Sequence, residues 1–151
     1  GMPLHVIVKH IDRDLMRIFV TLKELLGTWE ENAARFRAGE TVTGRIRSIE
    51  SYGIFVELAP NLAGLAELRA NGEQENFSVG DLAAVYIKSI LPERMKVKLV
   101  LIDACSSVPA SRTPLHFYID AAKTKHIARW RYSPTRAPRI IETVFDTNAS
   151  F

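Results

Sequence analysis

At 151 residues, 47% of them apolar and 25% charged, the chain has the size of one folded domain with room for a partial second, and enough apolar side chains to fill a core. The net charge is only +3, yet Lys123, Lys125, Arg129, Arg131, Arg136 and Arg139 lie between Ala121 and Ile141 with no Asp or Glu among them, so the rest of the chain is net acidic and the positive field belongs to the C-terminal segment. The single cysteine, Cys105, excludes an intrachain disulfide and points to a reduced, cytoplasmic setting, and no signal peptide or apolar run of transmembrane length suggests a membrane.

In chain order, Val6–Ile11 and Met16–Leu22 read as a β-hairpin. The same pattern returns 79 positions later, in Val85–Ile90 and Met95–Leu101. Val6/Val85, Lys9/Lys88, Ile11/Ile90, Met16/Met95 and Leu22/Leu101 are identical. A repeat at a domain-sized offset is the mark of an array. It predicts that residues 1–36 hold the last hairpin of a preceding repeat plus a linker helix, the chain being a C-terminal piece of a multi-domain protein. A hairpin alone is marginal in water. Its apolar residues are therefore expected to pack on the C-terminal strands of the same chain or on a second copy, a route to self-association.

Thr28 and Glu31 form a capping-box pattern, and Trp29, Ala33 and Phe36 follow at helical spacing, with Gly39 placed to end the turn. Trp29 reads either as a nucleic-acid contact or as the apolar anchor that seats this helix, and the spacing favours the anchor.

Thr41–Leu58 reads as two strands joined by a tight turn. Val42, Gly44 and Ile46 alternate with Thr43, Arg45 and Arg47, and Ile54, Val56 and Leu58 form the inward set of the second strand. That places Phe55 outward. A bulge at Gly53 is expected to bring Tyr52 to the same outer face, beside Arg45 and Arg47. Aromatic rings with cations on one sheet face make a stacking platform for single-stranded nucleic acid; a covering loop is the alternative reading of an outward ring.

Gly39, Val42, Gly44 and Ile46, then Tyr52-Gly53-Ile54-Phe55-Val56-Glu57-Leu58, then Gly64-Leu65 and Val79-Gly80-Asp81, follow in the order and spacing of a known family. Residues 37–103 resemble the S1 RNA-binding domain of ribosomal protein S1. The resemblance implies a mainly all-β fold: a five-stranded OB-type barrel whose outer face binds oligonucleotides. Around it the reading predicts a short linker helix, an N-terminal hairpin and a small β-rich extension over residues 104–151. By position, Tyr52 and Phe55 match the family's stacking aromatics and Arg45 its basic residue after the first-strand glycine. Glu67 stands where the family usually has histidine, and Leu91 where its last hairpin turn carries an acid. A carboxylate at 67 repels phosphate and weakens or shifts the site.

Further strands are expected near Gly64–Leu68, from Asp81 to Ile90 with Lys88 outward, and from Met95 to Ile102 with Val97, Leu99 and Leu101 inward and Lys96 and Lys98 outward. The outward lysines serve either as phosphate contacts or as edge protection. Asn71-Gly72 reads as a loop and Ser106–Pro114 as a linker. His116–Ile119 and His126–Tyr132 read as a possible strand pair, with a helix over Ala121–Arg131 as the alternative, and Ile140–Phe145 as a short strand before a disordered end.

The four histidines show no metal-ligand spacing, and neither a phosphate-cradling glycine loop nor a nucleophile elbow is present, so the residues predict a non-catalytic protein without metal or cofactor. Two functions stay open. One is a single-stranded RNA (mRNA) binding module of translation, using Arg45, Tyr52, Phe55, Lys88, Lys96 and Lys98. The other is a protein-docking module on the ribosome or between domains, favoured by Glu57 and Glu67. Lys123, Lys125, Arg129 and Arg131, around Trp130 and Tyr132, form a candidate second basic patch apart from the barrel. Alternation there also admits Trp130 and Tyr132 as packing anchors.

Overall fold

A computed structural model describes residues 3–67, 77–105 and 115–145. The expected loop at Asn71-Gly72, the linker through Ser106–Pro114 and the chain end after Phe145 lie outside the described residues. Two strands, β1 (Ile7–Asp12) and β2 (Arg17–Thr21), open the chain. A one-turn 3-10 helix, Lys23–Leu26, and helix α1 (Trp29–Ala33) follow. The barrel is built from β3 (Thr41–Glu50), β4 (Gly53–Ala59), β5 (Leu62–Glu67), β6 (Leu82–Leu91) and β7 (Lys96–Cys105). It closes in the order β3-β4-β5-β7-β6, with β5 and β7 parallel and the other neighbours antiparallel. This is the all-β, five-stranded OB-type architecture.

Period-two alternation fills the barrel. Ile46, Ile54, Val56, Leu62, Val85, Ile87, Val97 and Leu99 are each at most 2% exposed, and burying each such side chain stabilises by about 1.5–3 kcal/mol. Leu58 does not continue the inward set. The β4–β5 register shifts between Glu57 and Ala59, so Ala59 takes the buried place and Leu58 is half-buried.

One end of the barrel is sealed by α1. The Thr28 hydroxyl accepts the Glu31 amide (3.2 Å) and the Glu31 carboxylate accepts the Thr28 amide (2.7 Å), completing the capping box. That fixes the helix start and drives Trp29, 3% exposed, into the barrel core with Ala33. Trp29 is an anchor. The opposite loop is set by Val79-Gly80-Asp81. The Asp81 carboxylate accepts the Ser78 amide, Gly80 turns with φ +99°, and the Gly80 amide donates to the Ile46 carbonyl.

The β1–β2 hairpin reproduces β6–β7 in register. His10↔Phe19, Ile11↔Ile18 and Asp12↔Arg17 correspond to Ser89↔Lys98, Ile90↔Val97 and Leu91↔Lys96. Both ladders slip at the shared lysine, Lys9 in one and Lys88 in the other. Met16 (φ 51°) and Met95 (φ 50°) are the two non-glycine residues with positive φ among those described. Among the described residues the expected packing on the C-terminal strands of the same chain is not seen: Val6, Ile18 and Val20, which correspond to the inward Val85, Val97 and Leu99, are 45%, 61% and 52% exposed. Among the described residues β1 and β2 pair only with each other.

The C-terminal hairpin differs from its sequence reading in its partners. β8 (Arg129–Arg131) pairs with β9 (Glu142–Val144), while His116–Ile119 is a bent segment rather than a strand and Ala121–Arg131 holds no helix. The 116–119 segment is occupied elsewhere: the Tyr118 amide donates to the Leu25 carbonyl and its hydroxyl to the Glu31 carbonyl, which ties it to the linker.

Candidate nucleic-acid interface

The outer face of β3, β4, β5 and β7 carries the candidate site. Ser51 and Tyr52 form the two-residue turn between β3 and β4, with Glu50 paired to Gly53. A Cβ at Gly53 would lie 2.7 Å from Leu65 Cδ1 and 2.8 Å from the Ala66 carbonyl oxygen, so glycine is required there by close strand approach. The expected bulge is not at Gly53. It lies across the ladder at Arg47, between Ile46 and Ser48. The outcome for the rings is the same: Tyr52, 61% exposed, and half-buried Phe55 meet edge to face with centroids 6.3 Å apart.

Pairing lines up the cations. Phe55 is opposite Leu65, Leu65 opposite Lys98 and Lys98 opposite Ser89, with exposed Lys88 beside it at the β6 bulge. At strand spacings of about 4.8 Å, Lys98 lies about 10 Å from Phe55 across the face. Lys96 is exposed at the start of β7. Arg45 turns away: its guanidinium donates to the Gly80 carbonyl and braces the loop before β6. Arg47 takes its place near Phe55 and pairs with Glu57 at 3.5 Å. Glu67 is exposed and paired to Gly53, so the carboxylate sits at the Tyr52 end of the face.

Beyond Phe55, away from Glu67, the face runs into a groove of about 720 Å³. The barrel contributes Arg47, Phe55, Leu62 and Ala63, the 3-10 turn Pro92–Arg94 and the start of β7 contribute Arg94 and Lys96, and the C-terminal hairpin contributes Trp130, Tyr132, Arg139 and Thr143. Five cations, Lys23, Arg47, Arg94, Lys96 and Arg139, line it against one carboxylate, Glu93. The hairpin is held firmly. The Trp29 amide donates to the Tyr132 carbonyl (3.0 Å), and the Tyr132 hydroxyl to the Asn61 carbonyl (2.7 Å). Burial pushes the Tyr132 phenol up from 10.0 to about 12, against the lowering effect of Arg47. The Asn61 amide in turn donates to the Gly27 carbonyl (2.7 Å), so one turn residue joins linker, barrel and hairpin.

The residues of the second basic patch are not gathered in this groove. Lys123 pairs with Asp120 at 3.4 Å and Arg129 with Glu142 at 4.0 Å. Arg131 donates to Ser133 Oγ and the Pro134 carbonyl. Lys125 is exposed outside the groove. Nor is the segment apart from the barrel: Trp130 and Tyr132, with ring centroids 6.0 Å apart, face it. Among the described residues no cluster of three or more His, Cys, Asp or Glu could hold a metal ion, and no helix is long and apolar enough to cross a membrane.

No family model matches the chain. The ribosomal protein bS1 of Coxiella burnetii is 32% identical over 107 residues, 66% of this chain and 19% of that protein. The bS1 homolog of Bacillus subtilis is 32% identical over 69 residues, 45% of this chain and 18% of that one. Together with a closed barrel in the OB strand order, these similarities decide the family of the barrel. It is an S1-type domain.

The chain spans under a fifth of the length of these relatives. A 4-hydroxy-3-methylbut-2-enyl diphosphate reductase of Clostridium tetani is also similar, 26% identical over 106 residues, 66% of this chain and 17% of that enzyme. Matches of 106 and 107 residues are longer than the S1 barrel, Thr41–Cys105, and so take in flanking sequence as well.

Proposed function

We propose that this chain binds single-stranded RNA on the outer face of its S1 barrel, as a non-catalytic module acting in translation in the cytoplasm, with mRNA and the ribosome as partners. The observation that carries the reading is the edge-to-face pair of Tyr52 and Phe55 on the outer face, with Lys98 in the same cross-strand row and Lys96 and Lys88 close by. Bases stack on the rings, and cations neutralise the phosphates that follow. Stacking accepts any base, so little sequence preference is expected. Arg45 acts by bracing the β6 loop. The ribosomal relatives support the setting.

Titration with labelled single-stranded RNA at two salt concentrations tests this. Phe55→Ala should weaken binding by about 1–3 kcal/mol, the worth of one stacked base, with the barrel still folded. Equal affinity of variant and parent removes Phe55 from the site. Docking to another protein is the second reading. It is favoured by Glu57, which neutralises Arg47 at 3.5 Å, and by Glu67 at the Tyr52 end. It predicts no RNA binding by the parent at either salt.

A further inference from the structure

We infer that the C-terminal hairpin is the second wall of the RNA site: Trp130 stacks a base across the groove from Phe55, and Arg139 takes a phosphate. This rests on the RNA-binding reading above and gives it a location and a second ring. Phe55, from the barrel, and Trp130, from the hairpin, line one groove, and besides Arg47, which pairs with Glu57, four cations line it against one carboxylate, Glu93. The two tryptophans differ in exposure. Trp29 belongs to the barrel core and reaches the groove with only 3% of its surface exposed, whereas Trp130 is half-buried at the groove and outside the core cluster.

The wall is fixed in place, because Tyr132 is bonded to Asn61 and its carbonyl to the Trp29 amide. A ring on a preorganised wall binds without first paying for its own ordering. Within the hairpin the charges are sorted. Arg129 goes to Glu142 and Arg131 to its own turn, leaving exposed Arg139 as the hairpin's cation on the groove. Glu67 sits at the far end of the face, so phosphate is repelled from the Tyr52 end and drawn toward Trp130. Rings on both walls reach only unpaired bases, since a duplex keeps its base faces stacked inside. The site should therefore prefer single strands to a duplex of the same length.

The test is a titration of the whole chain with a single-stranded RNA of about twelve nucleotides, within the usual reach of one such barrel, followed by label anisotropy and by tryptophan emission. Quenching is expected in the parent and should fall to a small remainder in Trp130→Phe, where the nearly buried Trp29 is the one tryptophan left to emit. Trp130→Leu and Arg139→Glu should each lower affinity by at least about fivefold, the lower end of one stacked base, and Arg139→Glu should reduce the salt slope by about 0.7. If Trp130→Leu loosens the hairpin, surface-exposed Arg139→Glu decides. Unchanged affinity and slope in Arg139→Glu, with Phe55→Ala still weakened, overturns the second wall and leaves the barrel-face reading standing. A parent that binds no RNA overturns both.

Discussion

Gly44 lies where β4 packs tightly against β3. A Cβ there would stand 2.5 Å from Val56 Cγ1 and 2.7 Å from the Glu57 carbonyl oxygen, and the latter cannot rotate away. Gly44→Ala is therefore expected to destabilise the barrel by about 1–3 kcal/mol, the usual cost of overpacking, seen as a lower denaturant midpoint with an unchanged slope. Tyr132 offers a different lever. Its folded pKa of about 12 lies above the unfolded value of 10.0, so the neutral phenol is favoured in the folded chain. Its contribution is complete below pH 10 and is lost as pH rises from 10 to 12. Tyr132→Phe should flatten that part of the alkaline stability curve, at the cost of about 1 kcal/mol near neutrality for the lost bond to Asn61. A curve of the same shape in variant and parent would show that other groups set the alkaline limit.

At the scale of elements, α1 is too short to be stable alone. It persists because its capping box fixes the first turn and Trp29 enters the barrel. Trp29→Ala should cost about 3–5 kcal/mol and should release the C-terminal hairpin too, because the Trp29 backbone holds Tyr132. Loss of hydrogen-exchange protection in both segments is the expected result. The β1–β2 hairpin presents the opposite case. It has the register, bulge and left-handed methionine of β6–β7, yet its inward-type residues are exposed. Such a face is adhesive. Replacing Ile18 and Val20 with lysine should reduce any self-association in sedimentation while leaving barrel unfolding unchanged. Association that persists in the double variant would direct attention to another surface. The same geometry supports the proposal that residues 1–36 end a further S1-type unit.

For the whole molecule, charge is arranged rather than abundant. A net +3 is small, but cations from the linker, barrel and hairpin meet in one groove. Each that contacts a phosphate of a single strand adds about 0.7 to the dependence of log affinity on log salt, so RNA binding in the groove should be markedly salt-sensitive, and a slope near zero would favour protein docking. Much of this fold was legible in the sequence. Alternation in Thr41–Leu58 named the inward residues as far as Val56, the capping box named the start of α1, and the 79-residue offset matched Met16 with Met95 before any backbone angle was known. These are local properties, fixed by strand pleat, helix pitch and turn sterics within a few residues. What lay beyond reach was long-range. No local period records that β8 pairs with β9 and not with His116–Ile119, that the β3 bulge falls at Arg47, that Arg45 is bonded to Gly80, or that Trp130 and Arg139 come to line one groove with Phe55. Those outcomes depend on how distant segments share one surface, and only the closed barrel with its docked hairpin decided them.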